Sequence, residues 1–176
     1  MMTPQLARWN AVPLGDAEAE VFACCGSQRW ASEMAARRPL ADFAALCEAA
    51  DAIWWALERA DWLEAFAAHP RIGERAATGS ETARRWAALE QAATDGTDEE
   101  VAARLVQINR AYQLRFGFIF IVDASGKSRA EILVLLQQRI QNNPQMELRE
   151  AAEQQRRITR RRLERLFSGD VEAEAK

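Results

Sequence analysis

Phe116-Gly117-Phe118-Ile119-Phe120-Ile121-Val122 is the one stretch of this chain whose pattern is clearly not helical. It is aromatic and β-branched almost throughout, the composition of a strand. No other stretch of similar character is present to pair with it. A lone strand has no ladder for its N–H and C=O groups. The stretch therefore predicts an extended segment crossing the core of a helical protein, not a sheet. The expected fold class is all-α, a single-domain helical bundle with one short extended segment. The backbone of that segment has two possible uses. Its amides can bond to neighbouring helices, or they can hold a planar polar ligand.

Toward the C-terminus, Asp123-Ala124-Ser125-Gly126-Lys127 reads as a turn, and Ser128-Arg129-Ala130-Glu131 is a capping box. The helix it opens runs to about residue 141, where Asn142-Asn143-Pro144 breaks it. A last helix covers about 146–167, leaving 1–167 as one helical domain and 168–176 as a frayed acidic tail. Toward the N-terminus, Thr97-Asp98-Glu99-Glu100 is a second capping box. Its helix reaches about residue 115, with Val101, Leu105, Ile108, Tyr112 and Leu114 as the buried stripe. A helix over about 81–94 precedes it, after a polar loop at 74–80. Residues 9–14 read as an irregular lead-in. Asp16 can cap a helix to about Cys24, with Val21 and Phe22 facing the core. Ser27 can cap the next, which carries Trp30 and Met34 on one face and stops at Arg38-Pro39. A long core helix follows over 40–59, and Asp61 can cap a short helix ending at His69.

The bulk numbers narrow the function. With 176 residues, 49% apolar and 28% charged, the chain suits one globular domain. A net charge of -3 argues against general nucleic-acid binding. No apolar run approaches the roughly 18–20 residues of a membrane span, and the N-terminus has no apolar signal core. Three cysteines, two adjacent at Cys24-Cys25, fit buried thiols in a reducing cytoplasm better than a disulfide framework. One histidine and no Cys-x-x-Cys leave the ordinary zinc ligand sets unavailable, so no metal is expected.

That histidine, His69, falls at helical spacing from Trp62 and Phe66, and Pro70 ends the helix immediately after it. A histidine at a helix C-terminus has its imidazolium favoured by the dipole, which suits a proton donor near neutral pH. A surface cap is the plainer alternative. Glu90-Gln91 lies toward the buried side of its helix, as an acid–base or hydrogen-bonding carboxylate or as a solvated one. In Arg160-Arg161-Arg162, three consecutive positions span about 200° of a helix, so the residues cannot share a face. Ile158, Leu163 and Leu166 mark the core side, which Arg162 flanks, and its fork could grip a substrate carboxylate. Arg160 and Arg161 are left to solvent. Ser125-Gly126-Lys127-Ser128 is a poor phosphate loop, because Ile121 stands where its first glycine is required.

These stretches together resemble the 2-oxo-4-hydroxy-4-carboxy-5-ureidoimidazoline (OHCU) decarboxylase family of uric acid degradation. The residues that carry the resemblance are Cys24-Cys25-Gly26-Ser27 with Trp30, Arg38-Pro39, His69-Pro70-Arg71-Ile72-Gly73, Glu90-Gln91, Asn109 with Tyr112, Phe116-Gly117-Phe118-Ile119-Phe120, Glu131-Ile132-Leu133 and Arg162-Leu163. The resemblance implies an all-helical, commonly homodimeric enzyme that makes (S)-allantoin and CO2 without a cofactor. It implies His69 as proton donor, Glu90 as active-site glutamate and Arg162 as substrate-contacting arginine. It also implies substrate contacts at Pro70, Ala87, Gln91, Phe120, Ile121, Val122, Asp123 and Ala124. Two positions depart from the pattern. Ala87 replaces a frequent serine, and Asp123 adds a carboxylate that would repel an anionic substrate unless it points outward. Both departures favour the alternative, a helical binding or regulatory module without chemistry.

Overall fold

The computed structural model describes residues 2–70 and 99–168, among which there are eight α-helices and no strand. These are α1 (Pro4–Ala11), α2 (Leu14–Cys25), α3 (Gln28–Ala36), α4 (Phe43–Ala56), α5 (Arg59–Ala67), α6 (Glu99–Phe116), α7 (Arg129–Arg139) and α8 (Pro144–Phe167). The all-α class expected from the sequence is the class observed. The chain divides into two compact units, Met1–Glu64 with Arg156–Lys176, and Ala65–Gln155. The expected helix over 81–94, the loop at 74–80 and the cap at Thr97-Asp98 lie outside the described residues, as does the tail from 169 onward.

Local chemistry sets most of the observed helix ends. Thr3 accepts the Leu6 N–H at 3.2 Å with Pro4 behind it, so α1 occupies part of what the sequence reading left irregular. Ser27 caps α3 as expected, and Gly26, at φ 84°, supplies the left-handed turn that ends α2. The Ser128–Glu131 capping box is complete in both directions. Three of the expected helix ends need correction. Asp16 does not cap α2, which starts after Pro13; it stands in the first turn, where its charge suits the dipole. The long helix expected over 40–59 begins only at Phe43, capped by Asp42, and ends at Ala56. Asp61 is not the cap of α5 either. It reaches back three residues to accept the Glu58 N–H at 3.0 Å, so α5 starts three residues earlier than expected.

The first unit is organised by tryptophans, three of which donate their indole N–H groups to carbonyls. Trp9 donates to Ala17 O at 2.9 Å, Trp30 to Ala50 O at 3.1 Å and Trp62 to Trp54 O at 3.0 Å. Trp9 also meets Phe167 edge-on at 5.6 Å. Burying one such ring removes roughly 150–250 Å² from water, about 4–6 kcal/mol before entropy. Arg38 stacks on Trp9 and donates to the Val12, Ala35 and Trp9 carbonyls, which satisfies the ends of α1 and α3 together. Phe22, expected in the core, is 36% exposed instead, because Val21, Cys24 and Cys25 occupy the inner face of α2.

The second unit is built on α6. Its inner face carries Leu105, Asn109, Tyr112 and Phe116, at helical spacing. Leu114 is 88% exposed; two residues from Tyr112 is about 200° around the helix, the opposite side. Gly117, at φ 80°, turns the chain out of α6 and into residues 118–123, which lack helical or strand assignment and are buried except for half-buried Ile119.

Candidate active site

His69 lies two residues beyond the end of α5, and its backbone N–H donates to Phe66 O at 3.1 Å. Pro70 follows directly, and α5 ends at Ala67, two residues short of the end at His69 that the sequence implied. His69 is half-buried, with Nε2 out of contact with solvent. Phe66, one turn back, packs its ring against Phe118 at 5.4 Å. Phe118 belongs to a cluster with Tyr112 at 5.9 Å and Phe116 at 6.0 Å, and Tyr112 also meets Phe120 at 5.2 Å. One aromatic cluster thus joins the histidine's helix to the extended segment.

The backbone of that segment is held by side chains from two helices. Arg139 Nη1 donates to Ile121 O at 2.7 Å, and the Asp123 N–H donates to Gln154 Oε1 at 2.9 Å. Asp123 does not point into solvent: it is 6% exposed, and its Oδ1 accepts the Ser125 N–H at 3.3 Å. Lys127 Nζ donates to the Asp123 carbonyl at 2.8 Å, closing the same turn. The lysine of the supposed phosphate loop is therefore used within its own turn. Ala124 is half-buried beside it.

Arg139 belongs to a buried network that the sequence reading missed. Its guanidinium donates to Glu147 Oε1 through Nε at 2.9 Å and Nη2 at 2.6 Å, and it lies 4.5 Å from the Phe120 ring centroid. The Tyr112 hydroxyl donates to the same oxygen, and Asn142 donates to Oε2 at 2.8 Å. Burial, reinforced by Glu147, pushes the Tyr112 phenol pKa far above its ordinary value. The only sequence signals for this network were Tyr112 and the Asn142-Asn143-Pro144 break. Neither identifies a buried ion pair.

Arg162 belongs to the first unit. It is 5% exposed, on the core side of α8 as expected, and Nη1 is 3.5 Å from the Cys24 carbonyl. Arg160 and Arg161 are exposed, as expected, and Arg160 is within 3.6 Å of Asp51. Cys24 and Cys25 are fully buried free thiols. Burial pushes both up, Cys25 to about 12, against the lowering effect of Arg162. Such thiols are inert at neutral pH. Among the described residues, no group of three His, Cys, Asp or Glu side chains is placed to hold a metal ion, and no helix is long and apolar enough to cross a membrane. Ala87, Glu90 and Gln91 lie outside the described residues.

A family model for OHCU decarboxylase matches residues 10–164 of this chain. The chain belongs to the OHCU decarboxylase family. The uric acid degradation bifunctional protein TTL of Arabidopsis thaliana is 40% identical over 161 residues, covering 90% of this chain and 49% of that protein. The 2-oxo-4-hydroxy-4-carboxy-5-ureidoimidazoline decarboxylase of Mus musculus is 34% identical over 96 residues, 54% of each chain. The chain spans about half the length of these two relatives. The crystal structure of an OHCU decarboxylase in the presence of (S)-allantoin superposes with a TM-score of 0.75 at 37% identity, covering 85% of this chain and 98% of that one. The OHCU decarboxylase match runs through both compact units, and it includes His69, the 118–123 segment and Arg162.

Proposed function

We propose that this chain is a cofactor-free carboxy-lyase that converts 2-oxo-4-hydroxy-4-carboxy-5-ureidoimidazoline to (S)-allantoin and CO2 in uric acid degradation. The observation that carries the reading is the 37% identity with an OHCU decarboxylase, covering 98% of that chain. In the reaction the carbon–carboxylate bond breaks, and its electron pair passes into the adjacent C=N. The hydroxyl-bearing carbon becomes a carbonyl as the ureido-bearing carbon takes a proton on one face. One proton is consumed in all.

Each residue then has a defined task. His69 delivers the proton, and a single fixed donor yields a single enantiomer. Arg162 grips the substrate carboxylate, an interaction strengthened by a site from which water is excluded. Glu90 and Gln91 hold ureido N–H groups and orient the ring, while Pro70 and Ala87 contact it. Backbone groups of Phe120, Ile121, Val122, Asp123 and Ala124 meet the charge that develops as CO2 leaves. We also propose that the protein acts in the cytoplasm as a homodimer. Three buried free thiols fit a reducing compartment. Light scattering after gel filtration should report the mass of two chains, and a single-chain mass would remove the dimer.

The alternative, a module without chemistry, rested on Ala87 and Asp123. The Asp123 carboxylate is buried in its own turn and does not point outward, so the Asp123 support stands and activity decides between the two readings. Substrate generated freshly from urate, followed by ultraviolet absorbance and circular dichroism, tests the reading directly. Loss of substrate faster than its spontaneous decay, with the dichroism of (S)-allantoin appearing, is the expected result. Decay at the spontaneous rate to a racemic product would reject it.

A further inference from the structure

Residues 118–123 form no strand ladder, so something else must hold them in place. Two contacts do so from one side chain, which is itself anchored. Arg139 donates to the Ile121 carbonyl at 2.7 Å, lies 4.5 Å from the Phe120 ring centroid, and is itself fixed by two hydrogen bonds to Glu147. Glu147 is fully buried; Tyr112 donates to the same oxygen as Arg139, and Asn142 to the other. Every polar group of this network has a partner, the condition under which a buried ionic network rigidifies instead of destabilising. The pair is also costly for what it adds to stability alone, since apolar residues of similar volume often serve as well. What apolar residues cannot do is orient the Ile121 carbonyl and, with it, the peptide that follows.

We propose that Arg139 is a positioning residue, which Glu147 locks so that Arg139 sets the backbone of residues 120–123 at the height the substrate requires. The proposal rests on the reading above, in which that segment touches the substrate. Arg139 does not touch the substrate; it acts through Ile121 and Phe120. A lysine at this position keeps the charge beside Glu147, yet its single ammonium cannot reproduce a planar fork reaching the carboxylate and the carbonyl at once.

Three variants and three readouts test this. Arg139→Lys should stay folded by circular dichroism, with kcat reduced about 10–100-fold and KM altered less, the loss expected for misplaced groups around a reacting centre. Amide hydrogen exchange in the peptide covering 118–123 should quicken in this variant, while exchange in α1 and α2 stays as in the wild type. Tyr112→Phe, which leaves both Arg139 contacts intact, should keep that exchange slow. The triple variant Tyr112→Phe, Arg139→Met, Glu147→Leu replaces the network by apolar side chains. Its melting temperature should recover toward wild type while its turnover stays low. Recovery of turnover together with melting temperature would make the network structural only and overturn the proposal. So would wild-type exchange at 118–123 in Arg139→Lys. If the wild type itself fails to decarboxylate the ureidoimidazoline, the functional reading fails, and the exchange measurement still decides whether Arg139 holds the segment.

Discussion

Tyr112→Phe deletes one hydroxyl from the buried network and should produce a stability change whose size depends on pH in a way no surface substitution would. At neutral pH the wild-type phenol donates to Glu147, which keeps its two Arg139 hydrogen bonds and the one from Asn142 when the hydroxyl is gone. A hydrogen bond to a charged acceptor contributes roughly 1.5–3 kcal/mol. For a chain of this length that is a fall in melting temperature of about 3–12 °C. Alkaline pH works against the wild type. The folded phenol, raised far above its ordinary 10.0 first by burial and then by Glu147, keeps its proton, whereas the unfolded one loses it above pH 10. The unfolded state then binds fewer protons, so wild-type stability falls by up to about 1.4 kcal/mol per pH unit, a slope the phenylalanine lacks. The neutral-pH advantage is therefore spent about one to two units above 10, and the two stability curves should meet near pH 11–12. Urea unfolding of both proteins in reductant, at intervals from pH 7 to 11.5, measures the difference while the shared cysteine titrations cancel. A difference that is absent at pH 7, or that stays constant from pH 9 upward, refutes the argument.

Other outcomes follow from the same structure. His69→Ala should lower turnover by about 10²–10⁴-fold with an unchanged far-ultraviolet spectrum, and near-wild-type turnover would remove His69 as proton donor. Asp123→Asn keeps an oxygen for the Ser125 N–H and should stay within about threefold of wild-type kcat/KM, whereas Asp123→Ala should lose about tenfold or more as the turn loosens. Equal activity in both variants would show that the turn does not matter. Chelation should leave turnover unchanged, and a loss restored by added metal would reverse the cofactor-free reading.

The features legible in the sequence are those set within about four residues. Ser27, Gly26 and Ser128 each act on backbone groups one turn away, and the helix boundaries they imply are the ones observed, whereas Pro70 marks the end of α5 only to within two residues. Asp61 carried an equally local signal that was misassigned, because a carboxylate at the third helical position looks in sequence much like one at the cap. Apolar patterning was less decisive. Phe22 and Leu114 are apolar and exposed, and nothing in composition says which apolar residues a helix turns outward. The extended segment was legible as a break in period, but what holds it was not. Tyr112 and Glu147 are 35 residues apart, and Arg139 looks in sequence like any solvated helix cation.

For the candidate site, the same distinction separates the residues proposed to do chemistry from those proposed to place them. His69 was legible because it is unique and sits at a helix stop, and Arg162 because it flanks an apolar stripe. Ile121 and Phe120 could be named only as a segment, since a backbone carbonyl has no letter of its own. Yet the segment's geometry depends on charged side chains that an ordinary reading assigns to solvent. Burying Arg139 and Glu147 fully paired is tolerable, but removing either alone leaves an uncompensated charge that costs about 3–5 kcal/mol. That asymmetry couples fold and site in this unit. On the proposal above, a substitution at Glu147 threatens stability and the placement of residues 120–123 through the same two hydrogen bonds to Arg139.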